Sequence, residues 1–211
     1  MSSEFIKRIL SSIVLLPLTF FVVIEGSFLF ITFLVICFFI SIHEWNNMSK
    51  NKSYKYPGLF FLMISFLSIY NLRLNSDDNY VLFTYIIIIC ISTDIGGYIF
   101  GKLFKGPKLT SVSPNKTFAG MLGGFIMSIL SIFILIHIYG DQNLSINLSV
   151  FVIIISFISQ LGDITISFFK RLANIKDTGK IIPGHGGLLD RIDGMIFAFP
   201  FSNILIFTNY Y

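Results

Sequence analysis

The sequence predicts an all-α integral membrane protein of about seven transmembrane helices, with a polar cavity that faces the cytosol. Of the 211 residues, 55% are hydrophobic, 25 are Phe and 12% are charged, which is too apolar for a soluble domain that covers a single core. Apolar runs of about the length of a bilayer span recur along the chain. The cations lie almost entirely between these runs. The polar chemistry should therefore come from loops and helix ends.

Seven apolar runs define the predicted helices. They lie near residues 9–24, 27–43, 58–72, 79–100, 117–139, 146–168 and 192–208. The first run follows Lys7 and Arg8 as a signal peptide would, but it lacks a small-residue cleavage site, so we expect a retained helix. Cys37 and Cys90 lie within apolar runs, which favours two small buried side chains over a disulfide or a metal site.

The basic residues predict the orientation of the helices. If the spans alternate in direction, all of the 15 Lys and Arg residues except Arg73 fall on one side of the membrane. The positive-inside rule makes that side cytosolic. Topology explains the net charge of +4 better than nucleic-acid binding does, because the cations do not gather on one soluble face. We expect a multi-pass protein of the cell (inner) membrane and no nucleic-acid partner.

Polar residues within the predicted spans indicate a wet cavity. Asp94 follows an almost uncharged run, and a carboxylate at the bilayer centre costs about 3 kcal/mol, so it should face protein or water. A helix-packing Asp is the alternative. In the sixth span, polar side chains recur every three or four residues on one helical face; they are Ser156, Gln160, Asp163, Ser167 and Lys170. This stripe predicts a cavity wall, with a hydrogen-bonded seam between helices as the alternative.

The densest polar region follows the sixth span. It contains Lys170-Arg171, Lys176-Asp177, the loop Pro183-Gly184-His185-Gly186-Gly187 and Asp190-Arg191-Ile192-Asp193. Taken singly, these are topology anchors, a flexible turn and an acidic helix start. Taken together, they predict phosphate chemistry. Asp190 and Asp193 share a helical face and offer hard oxygens to Mg²⁺, and Asp163 could complete the cage. Glycine-rich backbone approaches phosphate closely, and Lys and Arg neutralise its charge.

A second basic element, residues 102–116, ends just before the fifth span in Ser113-Pro114-Asn115-Lys116-Thr117. Hydroxyls and an ammonium at a helix N-terminus attract anions, and helix capping by Ser or Thr is the alternative interpretation. For His185, donation to phosphate and orientation of the loop backbone both stay open.

These residues resemble the signature of the phosphatidate cytidylyltransferases, the CDP-diacylglycerol synthases of membrane lipid synthesis. That signature combines S-x-x-K-R and K-D with P-x-H-G-G-x-x-D-R-x-D, and residues 167–193 meet every fixed position. Similarity extends to Gly162-Asp163, to residues 113–117 and to residues 94–101. The resemblance implies one membrane-embedded domain over residues 1–211, with N-terminal helices in 1–75 and the catalytic core in 76–211.

The resemblance implies a Mg²⁺-dependent nucleotidyltransferase. The phosphate of phosphatidate attacks the α-phosphorus of CTP and yields CDP-diacylglycerol and pyrophosphate. Asp163, Asp190 and Asp193 become metal ligands, with room for a second cation, and Lys170 joins them as a catalytic residue. The implied substrate-binding residues are Ser113, Lys116, Thr117, Lys170, Arg171, Lys176, His185, Gly186, Gly187 and Arg191, and the supporting residues are Asp94, Gln160, Ser167 and Asp177. Membrane lipids are implied partners, and the family suggests a homodimer.

Two positions depart from the pattern, since many relatives carry an acidic residue where Ile166 stands and Glu or Gln where Ala119 stands. Two alternatives to the implied activity stay open. One is a related CDP-lipid synthase with another lipid phosphate acceptor. The other is an ion-coupled transporter, which is disfavoured because the charges gather at one face and no halves repeat.

Overall fold

In the computed structural model, the described residues are 17–74, 79–139, 146–182, 184 and 186–208. These residues form helices and loops without a β-strand, which confirms the all-α prediction for this part of the chain; the bridges Lys108–Thr117 and Ile182–Gly186 stand isolated. The described part of helix α1 is residues 17–25. The other helices are α2 Ser27–Met48, α3 Lys55–Leu74, α4 Asn79–Phe104, α5 Phe118–Tyr139, α6 Ile146–Leu172, α7 Leu189–Ile192 and α8 Met195–Phe207.

Five helices, α2 to α6, are long and apolar enough to cross a membrane. The prediction of an integral membrane protein is supported to that extent, whereas seven spans and a cytosolic cavity stay predictions. The first predicted span begins outside the described residues. The last one corresponds to α8, which has 13 residues, fewer than the roughly 20 that a span needs.

Three helices run four or more residues past their predicted ends, and one of them is α4, which ends at Phe104 rather than near residue 100. α2 continues to Met48 rather than ending near residue 43, and α6 continues to Leu172 rather than ending near residue 168. An apolar run marks where a helix leaves hydrocarbon, but a helix continues into water wherever polar residues still permit its backbone hydrogen bonds. Glu44 and Lys170 consequently lie on helical backbone.

The chain divides into two compact units. The first comprises residues 1–75 and 169–192, and the second comprises residues 76–168 and 193–211. In the first unit, α2 packs against α3 and α7. Arg73 at the end of α3 donates from Nε to the Val23 carbonyl at 2.9 Å and from Nη2 to the Ile24 carbonyl at 3.2 Å, which satisfies acceptors at the end of α1.

An aromatic group joins three segments of the first unit. Trp45 lies edge-on to Phe169 with ring centroids 5.2 Å apart, and Tyr54 lies 4.7 Å from the same ring. The Trp45 indole N–H donates to the Lys55 carbonyl at 2.9 Å. These contacts fasten the ends of α2 and α6 to the start of α3.

In the second unit, α4 packs closely against α5 and also contacts α8. A side chain at Gly96 would overlap the Gly123 carbonyl, so the small residue permits the close approach of the two helices, as is common between membrane helices. Thr93 of α4 donates to the Ser156 hydroxyl of α6 at 2.7 Å. Large apolar side chains such as Phe133 and Ile138 are exposed on α5, as lipid-facing positions require.

Candidate functional site

The first polar site, here called the Asp190 cluster, consists of Glu44, Lys170, Thr178, Gly187 and Asp190. Lys170 Nζ donates to Asp190 Oδ1 at 2.8 Å, and the two side chains are 11% and 4% exposed. Asp190 Oδ2 accepts the N–H groups of Thr178 and Gly187 at 2.8 and 3.0 Å, and the Thr178 hydroxyl lies 3.1 Å away. One carboxylate therefore joins the end of α6, the loop after it and the start of α7.

The same contacts fix the charge of Asp190. Burial by itself would raise the pKa of this carboxyl. The hydrogen bond and positive charge of Lys170, together with the N–H groups of Thr178 and Gly187, outweigh burial and hold the pKa below its ordinary value. Asp190 is therefore an anion that balances the Lys170 ammonium.

Gly186 and Gly187 fit tightly into this cluster. Gly186 has a φ of +90°, which favours glycine. A side chain at Gly187 would overlap the Thr178 hydroxyl. The Gly187 N–H already donates to Asp190, so its predicted contact with phosphate stays a prediction. His185 and Pro183 of the same loop lie outside the described residues.

Glu44 is a residue of this cluster that the sequence interpretation missed. It lies near the end of α2, is 1% exposed, and accepts the N–H groups of Leu188 and Leu189 at 2.9 and 2.8 Å. The Thr178 hydroxyl lies 2.9 Å from Glu44 Oε2. A signal was present, because Glu44 is the single acidic residue between Glu25 and Asp77 and closes an apolar run.

The second polar site, here called the Lys116 pair, lies in the second unit. Lys116 Nζ forms an ion pair with Asp163 Oδ2, and the side chains are 22% and 31% exposed. The Ser167 hydroxyl lies 3.4 Å from Asp163 Oδ1. Thr117 Oγ1 accepts the Gly120 N–H at 3.1 Å, which is the helix capping that the sequence left as an alternative. Ser113 lies in the same turn, where its carbonyl accepts the Lys116 N–H at 3.0 Å.

The polar stripe of α6 is buried against other helices at its start and partly exposed one turn later. Its first members join helices: Ser156 is fully buried against Thr93, and Gln160 Nε2 lies 3.4 Å from the Met121 carbonyl. Asp163, one turn later, is partly exposed beside Lys116. The hydrogen-bonded seam therefore describes the start of the stripe, whereas a cavity wall stays a prediction for its cytosolic end. Asp94 is exposed on α4.

The remaining predicted site residues are exposed or contact backbone groups. Those with exposed side chains are Arg171, Lys176, Asp177 and Arg191. Arg171 donates to the Ile175 carbonyl at 3.2 Å. Asp193 is 8% exposed, and its Oδ1 accepts the Gly194 N–H at 2.9 Å. Ile166 is 2% exposed and belongs to the apolar interior of the second unit.

The predicted metal ligands differ in exposure and in the contacts that their carboxylates already make. Within the described part of the chain, no group of three or more His, Cys, Asp or Glu residues comes together. Asp163 carries one ammonium and one hydroxyl contact and is partly exposed. Among the described residues, Asp190 Oδ2 accepts two backbone N–H groups, whereas Oδ1 accepts from Lys170 alone, so Oδ1 keeps an acceptor position. The carboxylate oxygens present are the ligand type that Mg²⁺ prefers.

Comparison with a protein-family model and with individual proteins gives the same family. The model of the cytidylyltransferase family matches residues 6–75 and 59–209. A phosphatidate cytidylyltransferase of Staphylococcus saprophyticus is 40% identical over 167 residues, which cover 75% of this chain and 63% of the relative.

Two further relatives bear the same name. The protein of Staphylococcus haemolyticus is 42% identical over 168 residues, and that of Staphylococcus aureus is 40% identical over 167 residues. In both comparisons the match covers 75% of this chain and 63% of the relative. This match therefore accounts for less than two thirds of each relative's length.

Proposed function

We propose, because this chain belongs to the cytidylyltransferase family, that it transfers the cytidylyl group of CTP to phosphatidate and forms CDP-diacylglycerol and pyrophosphate. The observation that carries the proposal is the Asp190 cluster, which the family signature supplies. There a buried carboxylate holds the Lys170 ammonium and two backbone N–H groups in one place. The names of the relatives support phosphatidate as acceptor and favour neither alternative from the sequence.

In the proposed reaction, a phosphate oxygen of phosphatidate forms a bond to the α-phosphorus of CTP. The bond from that phosphorus to the β-phosphate oxygen breaks, and pyrophosphate leaves with the electron pair. Negative charge grows on the transferring group and on the leaving group, so preformed cations lower the barrier. Lys170 and Lys116 would supply this charge without reorganisation, because each is already held by a carboxylate. Arg171, Lys176 and Arg191 would add positive potential from exposed positions.

Magnesium dependence is part of the proposal. Asp163, Asp190 and Asp193 would hold the cation, which typically takes one or two carboxylates together with phosphate oxygens and water. When bound, it would neutralise the phosphates and polarise the attacked phosphorus. The partial exposure of Asp163 and the free acceptor position on Asp190 Oδ1 support this assignment.

The membrane placement supports a lipid substrate. Five apolar helices long enough to span a bilayer would let phosphatidate reach the enzyme within one leaflet. The concentration of Lys and Arg on one predicted side favours a cytosolic site in the cell membrane, where CTP is present. Homodimerisation stays a proposal that the family suggests.

The test uses purified protein in mixed micelles with Mg²⁺, labelled CTP and phosphatidate. We expect a CDP-lipid from wild type and none after chelation of the metal. Asp163→Asn removes a partly exposed charge and should abolish product while the protein stays folded. Glu25→Gln is the matched control, because Glu25 is an exposed carboxylate outside both polar sites, and it should keep full activity. Product from another nucleotide or another lipid phosphate would identify a related synthase. A folded protein that makes no product from any nucleotide would overturn the proposal.

A further inference from the structure

We infer that Glu44 is a positioning residue for the signature segment, so that α2 sets the geometry of Lys170 and Asp190 without touching the substrates. The inference rests on the proposed function for its effect on turnover. Its structural half, the fastening of residues 178, 188 and 189 by Glu44, stands on contacts within the first unit alone.

Glu44 meets the signature segment at three donors. Its two oxygens accept the N–H groups of Leu188 and Leu189 at 2.9 and 2.8 Å, and the Thr178 hydroxyl lies 2.9 Å from Oε2. The carboxylate is 1% exposed. Burial of a carboxylate is unfavourable unless donors surround it, so this cage of donors is specific to an anion at position 44.

The backbone of α2 at Glu44 is held in place by the next residue. Its neighbour Trp45 is 3% exposed, packs edge-on to Phe169 and donates to the Lys55 carbonyl. Phe169 directly precedes Lys170 on α6. The helix that carries Glu44 is therefore fastened to the helix that carries Lys170, and the carboxylate acts from a fixed backbone.

Thr178 transmits this position to Asp190. Its hydroxyl has one proton and donates it to Glu44 Oε2, the nearer carboxylate at 2.9 Å, while its backbone N–H donates to Asp190 Oδ2 at 2.8 Å. Asp190 in turn holds Lys170 at 2.8 Å. The chain Glu44, Thr178, Asp190, Lys170 is continuous, and each link is within hydrogen-bond distance.

The glycines confirm how closely these groups fit. A side chain at Gly179 would lie 2.5 Å from Glu44 Oε1, and one at Gly187 would lie 2.6 Å from Glu44 Oε2. The absence of a side chain at Gly187 therefore leaves room for the Glu44 carboxylate and the Thr178 hydroxyl. Orienting groups of this kind typically change activity by about 10- to 100-fold when they are removed.

The experiment compares Glu44→Gln, Thr178→Val and Thr178→Ser with wild type in mixed micelles. Gln keeps the size of Glu but turns an NH₂ group towards a backbone N–H. Val keeps the shape of Thr without its hydroxyl, whereas Ser keeps the hydroxyl without the methyl group. Ser41→Ala is the matched control, because Ser41 is fully buried on α2 and donates to the Cys37 carbonyl instead of the signature segment.

We expect Glu44→Gln and Thr178→Val to lower kcat/KM by about 10- to 100-fold, and Thr178→Ser and Ser41→Ala to stay near wild type. A residue that only fills space would show the reverse order at position 178, since Ser leaves a cavity there and Val does not. Wild-type kcat/KM in Glu44→Gln, or equal losses in the Ser and Val variants, would overturn the inference.

Amide hydrogen exchange supplies a readout that needs no turnover. In Glu44→Gln, the amides of residues 178 and 187–189 should exchange faster than in wild type and in Ser41→Ala. Unchanged exchange there would refute the positioning role even if the enzyme used another substrate. Failure of the proposed function has a different signature: wild type would make no CDP-lipid while its exchange pattern still showed these amides protected.

Discussion

The two Lys–Asp ion pairs of this protein should respond very differently to loss of the carboxylate charge. Asp190 and its partner Lys170 are 4% and 11% exposed, whereas Asp163 and Lys116 are 31% and 22% exposed. Asp190→Asn and Asp163→Asn remove the same charge from the same kind of pair. Burial is therefore the main variable in the comparison.

The expected costs follow from that difference. In Asp190→Asn, the amide oxygen can still accept from Thr178 and Gly187, but the NH₂ group faces the Lys170 ammonium, which loses the carboxylate that it is paired with. Breaking a buried pair from one side costs about 3–5 kcal/mol, and we expect the lower end because the Oδ2 contacts are kept. An exposed pair is worth roughly 0–1 kcal/mol, so Asp163→Asn should be nearly as stable as wild type.

The measurement is the free energy of unfolding in mixed micelles. A loss of about 3 kcal/mol for Asp190→Asn should be partly recovered in the double variant Lys170→Met/Asp190→Asn, because that change removes the orphaned charge. Equal stability of Asp190→Asn and Asp163→Asn would refute the reasoning. So would a double variant that loses as much as the two single variants together.

Three further predictions concern stability. Folding lowers the pKa of Asp190, so the ionised carboxylate contributes fully to the free energy of unfolding above the ordinary Asp pKa of about 4. That contribution is lost as the pH falls through the lower pKa of the folded state. Unfolding measured at a series of acid pH values should show this loss in wild type and lack it in Asp190→Asn. Gly187→Ala should disrupt the Asp190 cluster, because the added methyl group would overlap the Thr178 hydroxyl. Gly97→Ala should fold normally, because the nearest atom to its methyl group would lie 3.8 Å away. Thermal denaturation should give a lower melting temperature for Gly187→Ala, and equal melting temperatures would contradict the close fit. Arg73→Met removes two hydrogen bonds to the end of α1 and should cost about 1–3 kcal/mol without a loss of kcat/KM, which unfolding and turnover assays check; unchanged stability would contradict the capping role.

The apolar runs predicted helices α2 to α6, the five long enough to cross a membrane, because the bilayer imposes one length on every span. They predicted helix ends poorly, since the pattern reports where hydrocarbon ends and not where the backbone hydrogen bonds end. α2 and α6 both continue beyond their apolar runs. Each continuation carries a residue of the Asp190 cluster.

The signature proposed residues for the chemistry, and those roles stay predictions; it did not indicate which of the residues pair. Asp190 was expected to bind metal, and in the structure it holds Lys170, which lies 20 residues earlier. Glu44 lies 134 residues before Thr178, and no local pattern joins the two. Sequence periodicity describes one helix at a time, so contacts between distant segments need the fold.

The polar stripe of α6 shows the same limit. Ser156, Gln160 and Asp163 share one helical face by spacing, and the spacing could not distinguish a seam from a cavity. The structure buries Ser156 against Thr93 and leaves Asp163 partly exposed. The neighbouring helix decides the surroundings of each residue.

The most direct test of cytidylyl transfer follows the phosphorus atoms of CTP. Purified wild-type protein is incubated with Mg²⁺, phosphatidate and CTP that carries its label either at the α- or at the γ-phosphorus. We expect the α-label to enter the lipid and the γ-label to appear in pyrophosphate. Label from the γ-position in the lipid, or no labelled lipid from a folded protein, would contradict cytidylyl transfer.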